Sequence, residues 1–256
     1  MLIRGNHESE FCTSCYGFER EIQVKFGESN ASSVYSAFLN LCSRLPLACK
    51  VGSSTLVLHG GLFRSPFQSK KESKTNPKLG TLKELYAASK GGFDPSGVGR
   101  TLIAGDVMWS DPSLVNGLRP NTQRGIGVVF GPDESRSFMK NENLKLIIRS
   151  HEGPDAREDR PDMPSVQHGF SVDHDLGDDG KLVTVFSAPD YPQFRDYGET
   201  RHNNLGAFIR LKGETKFCSI DDIFSFESTP RPPAQCYYDV SFGGSDEEAP
   251  LCEDDA

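Results

Sequence analysis

Hydrophobic residues recur with a helical period early in the chain. Phe18, Ile22 and Phe26 stand at positions i, i+4 and i+8, and Gly27 follows them. This spacing predicts an amphipathic helix that ends at the glycine. The stretch SSVYSAFLNLCSRLPL has the same period and runs up to Pro46. Because proline disfavours helix at the residue before it, a second helix is predicted to end there.

Short apolar runs bounded by turn residues follow, in STLVLHGGL, LKLIIRSHE, KLVTVFSAPDY and GAFIRLKG. Such runs predict buried strands. Residues 65–105 differ in texture: a basic polar stretch, one short helix in LGTLKELYAASKGG, and a further loop in FDPSGVGRTLIAGD. We interpret them as a surface insertion, since a buried loop would leave backbone polar groups unpaired. The pattern alone predicts a mixed α and β fold.

Composition narrows the class of protein. Residues 229–256 are rich in proline and then acidic, which predicts a disordered tail. The net charge of −8 argues against partners such as nucleic acid or an anionic membrane. No apolar run has the length of a membrane span, and the seven cysteines are irregularly spaced. An intracellular chain, in the nucleus or the cytoplasm, is the simplest interpretation.

Three of the apolar segments deliver polar residues in the same manner. LIRG is followed by Asn6 and His7, STLVL by His59, and LKLIIRS by His151. Functional groups collect past the carboxyl ends of strands, and imidazoles there suit a metal site. A single such histidine is more often an ordinary hydrogen-bonded residue, but three of the six histidines in equivalent positions favour metal binding. Spacing alone predicts a metallohydrolase and nothing more specific.

The motifs themselves go further. IRGNHE, HGGL, MWSDP, QRGIG, IIRSHEG and VFSAPDY occur in this order. Together they closely resemble the catalytic domain of the metal-dependent serine/threonine phosphoprotein phosphatase family, from about Leu2 to about Leu211. The stretch after HGGLFRSP, with KLIIRSHEGPDARE and FSAPDYPQF, looks most like the plant protein phosphatase 7 branch, and protein phosphatase 5 is the next nearest.

The resemblance implies a fold and an activity. The fold would be of the α/β (α+β) class, a central β-sandwich of mixed sheets flanked by helices, with the catalytic domain over residues 1–228. The family hydrolyses phosphoserine and phosphothreonine in phosphoprotein substrates. Its two divalent metal ions (manganese, or iron and zinc) share a bridging water, which becomes hydroxide near neutral pH and attacks phosphorus in line.

Residue roles follow from the same resemblance. Asn6, His59 and His151 would ligate one ion, and His7 would be the general acid that protonates the leaving alkoxide. Arg124 in QRGIG would clamp phosphate oxygens, and Tyr191 would stand at the rim of the site.

Several of these polar residues also have plainer interpretations. Arg124 would otherwise be a surface arginine, and Tyr191 would simply pack against a loop. Arg4 is expected to brace the first loop, and Asp106 and Asp111 to shape a loop beside the groove. The remaining histidines, His168, His174 and His202, are expected at the surface.

Two earlier motifs of the family, Gly-Asp-x-His-Gly and Gly-Asp-x-x-Asp-Arg-Gly, do not occur in the 256 residues. In the family they supply the ligands unique to the other ion, the bridging aspartate and a second phosphate-clamping arginine. We therefore expect an N-terminally truncated catalytic domain that lacks its first β-α-β portion and holds the ligands of only one ion. Little or no phosphatase activity is expected of such a chain.

The alternative hypothesis is a catalytically inactive remnant that acts as a binding module. Its surface would be the insertion over 65–105, where lysines lie near Leu79, Leu82 and Leu85. A basic helix of this kind would dock into an acidic groove such as that of calmodulin. The helix is short and carries Glu84, so a plain solvated insertion is the preferred interpretation.

Overall fold

The computed structural model describes residues 1–68, 77–191, 201–214 and 217–230. The helices of this part are α1 (Glu10–Cys15), α2 (Phe18–Phe26), α3 (Glu28–Arg44), α4 (Leu82–Ala87), α5 (Leu102–Trp109), α6 (Pro132–Glu142) and α7 (Pro154–Glu158). The strands are β1 (Ala48–Val51), β2 (Thr55–Leu58), β3 (Asp111–Pro112), β4 (Leu118–Pro120), β5 (Val128–Phe130), β6 (Leu146–Arg149), β7 (Phe170–Asp175), β8 (Lys181–Val185), β9 (Gly206–Glu214) and β10 (Phe217–Phe226).

The early helices begin and end where the sequence provides the signals. Ser9 caps α1, because its side chain accepts a hydrogen bond from the Cys12 amide. Gly27 lies between α2 and α3 with a φ of 73°, a conformation that glycine adopts without strain. Helix α3 ends at Arg44, ahead of Pro46. The two predicted helices are therefore confirmed.

The largest sheet positions the chemistry. Its strand order is β1-β2-β6-β8-β7, and the three central strands β2, β6 and β8 are parallel. Leu56 on β2 pairs with Ile147 on β6, which in turn pairs with Leu182 on β8. All three side chains are buried, as expected of strands covered on both faces. Because the central strands are parallel, their carboxyl ends meet at one edge of the sheet.

Two smaller sheets complete the described strands. One has the order β3-β5-β4, with β3 parallel and β4 antiparallel to β5. The other is the antiparallel hairpin β9-β10, which has an irregularity in its register between Ile220 and Asp222. The predicted class, α and β with mixed sheets and helices, is confirmed.

Helix α5 replaces part of a predicted loop. The pattern of FDPSGVGRTLIAGD predicts a loop, but Leu102–Trp109 is helical, and Ile103, Ala104 and Val107 belong to the main hydrophobic core. A helix that is apolar on nearly every side is buried rather than amphipathic, so a search for helical period does not find it.

The short helix α4 also lies against the core. Thr81 and Glu84 form a reciprocal capping box at its start. Leu79, Leu82 and Leu85 pack against the core cluster. Their apolar side is thus already covered, which does not favour the calmodulin hypothesis; that interaction stays a prediction. Residues 69–76, with three of the insertion's lysines, lie outside the described residues, and so do residues 231–256 of the predicted tail.

The expectation that His174 lies at the surface is wrong. This side chain is only 2% exposed, between α6 and the loop after β3. Its Nε2 lies 2.9 Å from the Ser113 carbonyl oxygen, and its Nδ1 lies 2.8 Å from the Ser135 hydroxyl. The carbonyl only accepts, so Nε2 carries the proton and Nδ1 accepts from the serine.

Among the described helices, none is both long and apolar enough to cross a membrane.

Candidate metal centre and phosphate site

Two parallel strands deliver the two central imidazoles. His59 follows β2 directly, and His151 comes two residues after β6. The Ser150 amide donates a hydrogen bond of 2.9 Å to the His59 carbonyl, which ties the two strand ends together. His151 has a φ of 71°, in the left-handed region where residues other than glycine are strained. Such strain is found where a fold fixes a functional side chain.

Asn6, His59 and His151 are brought together at this edge. Asn6 Oδ1 lies 2.7 Å from His59 Nε2, and the rings of His59 and His151 are 5.2 Å apart between centroids. The approach of the first loop depends on Gly5, because a Cβ there would lie 2.9 Å from the ring of His59. Side chains from three distant parts of the sequence thus face one small volume.

His151 has one ring nitrogen committed and one free. Its Nδ1 lies 3.0 Å from Asp111 Oδ1 and 3.2 Å from an Arg149 terminal nitrogen. The carboxylate only accepts and is the nearer partner, so Nδ1 carries the proton and donates a hydrogen bond to it. Its Nε2 is buried and has no hydrogen-bond partner within the described part of the chain. A buried imidazole nitrogen with an unused lone pair is what a divalent cation needs.

The donor set suits one cation rather than two. No group of three or more histidine, cysteine, aspartate or glutamate side chains occurs in a metal-binding arrangement among the described residues. The candidate donors are two imidazoles and one neutral amide oxygen. These donors fit a single ion of the zinc or manganese kind.

The surroundings of both imidazoles favour their neutral forms. Burial is the largest cause that lowers the pKa of His59, and His151 and Arg149 lower it further. Burial also lowers the pKa of His151, although Asp111 opposes the change. Neutral imidazoles have the free lone pair that metal ligation requires.

Arg124 lies on the far side of Asp111 from the histidines. Its Nε is 3.4 Å from Asp111 Oδ2, and its backbone amide donates to Asn121 Oδ1 at 3.2 Å. The side chain is 27% exposed, so it can meet a ligand from solvent. Arg124 is therefore partly exposed, as the surface interpretation expects, but it is also paired with the buried Asp111.

His7 is exposed and directly follows Asn6 in the first loop. Its ring stacks on Tyr16, with 5.0 Å between the centroids and an angle of 16° between the planes. Partial burial of the ring lowers the pKa of His7; Glu8 raises this pKa, and Arg124 lowers it. The acid expected from the sequence is thus an accessible imidazole covered on one face.

Tyr191 lies in the loop after β8, at the same edge. Burial raises the pKa of its hydroxyl, Asp155 and Tyr16 add to the rise, and Arg124 opposes it. The Tyr191 hydroxyl is therefore within electrostatic reach of Asp155, Tyr16 and Arg124. Its ring also meets Phe186 edge to face, 5.1 Å between centroids, as the packing interpretation expects. The rim role stays a prediction.

Arg4 braces the first loop, as the sequence predicts. The guanidinium is fully buried and donates to the carbonyl oxygens of Glu8, Lys90 and Phe93. Asp106 is bound to Arg64 outside the site.

Asp111 contributes more to the site than its sequence context predicts. Burial alone would raise its pKa, but His151 and Arg149 outweigh burial and hold the pKa of this carboxyl well below its ordinary value. Its signal in the sequence is the MWSDP motif, from which Asp111 is expected only to shape a loop.

Comparisons with known proteins agree with this geometry. The calcineurin-like phosphoesterase family matches residues 1–155. Serine/threonine-protein phosphatase 7 of Arabidopsis thaliana is 47% identical over 93% of this chain and 60% of its own length. Serine/threonine-protein phosphatase T of Schizosaccharomyces pombe is 34% identical over 91% of this chain and 39% of its own length.

A solved structure is similar as well. It is a protein serine/threonine phosphatase from Saccharomyces cerevisiae with similarity to human phosphatase PP5, with a TM-score of 0.63 and 29% sequence identity. The match covers 91% of this chain and 62% of that chain. The chain therefore spans less than two thirds of the length of each of these three relatives.

Proposed function

The chain belongs to the calcineurin-like phosphoesterase family, as its motifs predict, and from this premise we propose that it acts on phosphoserine and phosphothreonine in proteins. The observation that carries the proposal is the convergence of Asn6, His59 and His151 beside Arg124. Cation donors on one side and a guanidinium on the other suit a phosphate ester, whose oxygens are anionic.

Asn6, His59 and His151 would hold a divalent ion. Such an ion supplies Lewis acidity toward phosphoryl oxygens and lowers the pKa of water. The buried Nε2 of His151 and the 2.7 Å approach of Asn6 Oδ1 to His59 Nε2 support this assignment.

The remaining roles fall to Arg124, His7 and Tyr191. Arg124 would bind phosphate oxygens through its planar guanidinium. His7 would give a ring proton to the departing serine or threonine oxygen, which requires its imidazolium form. Stacking on Tyr16 fixes the plane of that ring. Tyr191 would border the entrance.

Slow turnover is expected of this chain. The candidate donors Asn6, His59 and His151 would provide for one cation, whereas two ions would clamp both the attacking and the leaving oxygen. Calorimetric titration with Mn²⁺ and a phosphopeptide assay with Mn²⁺ test the proposal together. We expect about one ion per chain and weak hydrolysis, both lost in His59→Ala and retained in His168→Ala, which alters an exposed histidine.

The outcomes separate the two hypotheses. Metal binding with hydrolysis that depends on His59 supports the phosphatase. If the wild-type chain binds no ion and leaves the phosphopeptide intact, the inactive binding module is the better description. Rapid turnover with a single ion would contradict only the expected impairment.

A further inference from the structure

The Asp111 carboxylate divides its two oxygens between the two halves of the site. Oδ1 accepts from His151 Nδ1 at 3.0 Å and from an Arg149 terminal nitrogen at 2.8 Å. Oδ2 accepts from Asn121 Nδ2 at 3.0 Å and lies 3.4 Å from Arg124 Nε. One buried group therefore touches both a candidate cation ligand and the candidate phosphate clamp.

The carboxylate is held rigidly. Asp111 is 3% exposed and begins β3, whose pairing with β5 fixes the backbone. Arg149 is fully buried at the end of β6 and also donates to the Gly60 carbonyl and to Glu152. A satisfied, buried polar network of this kind fixes side-chain geometry.

We propose that Asp111 is a positioning residue that aligns His151 for the cation and Arg124 for the phosphate at the same time. This inference rests on the proposed function. By accepting the Nδ1 proton, Asp111 fixes the tautomer of His151 and leaves Nε2 facing the cation. By engaging Nε of Arg124, it sets the plane in which the terminal nitrogens meet an oxyanion.

The expected size of the effect follows from related chemistry. Carboxylates that accept the second proton of a ligating histidine typically change metal affinity about 10–100-fold when they are removed. An arginine that binds phosphate in a bidentate manner depends on the orientation of its planar group. Loss of Asp111 should thus weaken both cation binding and phosphate binding. A substitution that only disturbs packing away from the site should leave both affinities nearly unchanged.

Asp106 supplies a matched control. It is a buried carboxylate five residues before Asp111, and it is bound by Arg64, with both Nε and a terminal nitrogen within 2.9 Å. Asp106→Asn and Asp111→Asn each remove one charge from a buried arginine pair, so both variants should lower Tm. Only the second substitution touches the site.

The experiment measures the affinity of the 256-residue chain for Mn²⁺ and, separately, for inorganic phosphate in the Mn²⁺-loaded protein. Trp109, the only tryptophan, meets the His151 ring edge to face at 5.6 Å and reports binding by its fluorescence. We expect Asp111→Asn to weaken Mn²⁺ binding about 10–100-fold and to weaken phosphate binding as well. Asp106→Asn should leave both affinities within about twofold, the size of ordinary context effects away from a site.

A second variant protects the test if Asp111→Asn does not fold. Asn121→Ala removes a partner of Oδ2 and the acceptor of the Arg124 amide, but keeps the carboxylate. It should weaken phosphate binding and leave Mn²⁺ affinity unchanged.

Each outcome has a definite meaning. Equal losses in the Asp106 and Asp111 variants, or no loss in either, overturn the positioning role and leave the proposed function standing. An Asn121→Ala variant that loses Mn²⁺ affinity contradicts the division between the two oxygens. A wild-type chain that binds no Mn²⁺ overturns the proposed function, and the positioning role with it.

Discussion

His174 shows how a residue outside the site couples the molecule to pH. Burial is the largest cause that lowers its pKa, and the hydrogen bond to the Ser113 carbonyl opposes the change only in part. Three charged neighbours also act on it: Asp173 and Asp133, which raise the pKa, and Arg157, which lowers it. The folded protein therefore prefers the neutral ring.

This preference has a defined sign. An unfolded histidine titrates near about 6.5, and the folded pKa lies lower, so the unfolded state binds more protons in between. Stability from His174 is present above that range and is lost as pH falls toward the folded pKa. In urea unfolding, the stability gap between wild type and His174→Gln should shrink from pH 7.5 to pH 5. His168→Gln, at an exposed position, serves as control, and a gap that does not change with pH would contradict the assignment.

Asn204 fixes the loop that carries Tyr191. This side chain is 2% exposed; its Oδ1 accepts from the Tyr191 amide at 2.8 Å, and its Nδ2 donates to the Ala188 carbonyl at 2.9 Å. Its own carbonyl accepts from the Asp190 amide. The side chain thus replaces regular secondary structure in holding this loop.

Replacing Asn204 by alanine would leave the Tyr191 amide and the Ala188 carbonyl without these partners. We expect Asn204→Ala to cost about 1–3 kcal/mol of stability and to speed hydrogen exchange at the Tyr191 amide. Asn40→Ala, at an exposed site on α3, is the control and should change little. Unchanged exchange at Tyr191 would show that other contacts hold the loop.

At the level of residues, the sequence predicts which side chains belong to the candidate site better than it predicts their hydrogen-bond partners. The resemblance assigns Asn6, His59 and His151 to one ion, and the structure brings their side chains together. Asp111 was not chosen, because its importance lies in two partners from other strands and loops. Single-sequence patterns contain no information on such pairs.

Among the elements, helix α5 shows the limit of local signals. Gly105 lies within it, and a Cβ there would come within 2.4 Å of the Gly97 Cα. Sequence rules count glycine against a helix, whereas here it permits another segment to approach. The strands β2, β6 and β8 were recognised from their apolar runs alone, since strands buried on both faces need no alternation.

The close approach predicts the sign of one substitution. Gly105→Ala should raise helix propensity by about 0.8–1 kcal/mol, but the clash with Gly97 backbone should cost more, of the order of 1–3 kcal/mol. We therefore expect a net loss in thermal unfolding. Ser36→Ala on the exposed side of α3 provides the opposite case, a small gain. Stabilisation by Gly105→Ala would mean that the two segments separate easily.

In the molecule as a whole, a cation bound at the proposed site should link distant segments of the chain and stabilise the folded state. The proposed cation donors come from the first loop, the end of β2 and the loop after β6. A ligand that binds only the folded state stabilises it by mass action, about 2.7 kcal/mol at a concentration of 100 Kd. Metal binding should therefore raise the free energy of unfolding of the whole chain.

This predicts a rise in Tm with saturating Mn²⁺ that EDTA reverses. For a chain of this size, about 2–4 °C is expected per kcal/mol. His151→Ala should abolish the rise, and His168→Ala should retain it. A Tm that does not respond to Mn²⁺ in the wild-type chain would argue that the donors do not share an ion.

The pairing of β2 with β6 has a consequence for protein engineering. Positions 59 and 151 take their separation from the main-chain ladder of two adjacent parallel strands, and the Ser150 amide reinforces it. A designer who grafts thiolates in place of the imidazoles would inherit the same spacing without rebuilding any loop. Because softer donors select softer ions, the scaffold would then offer a ready-made frame for retuned metal preference.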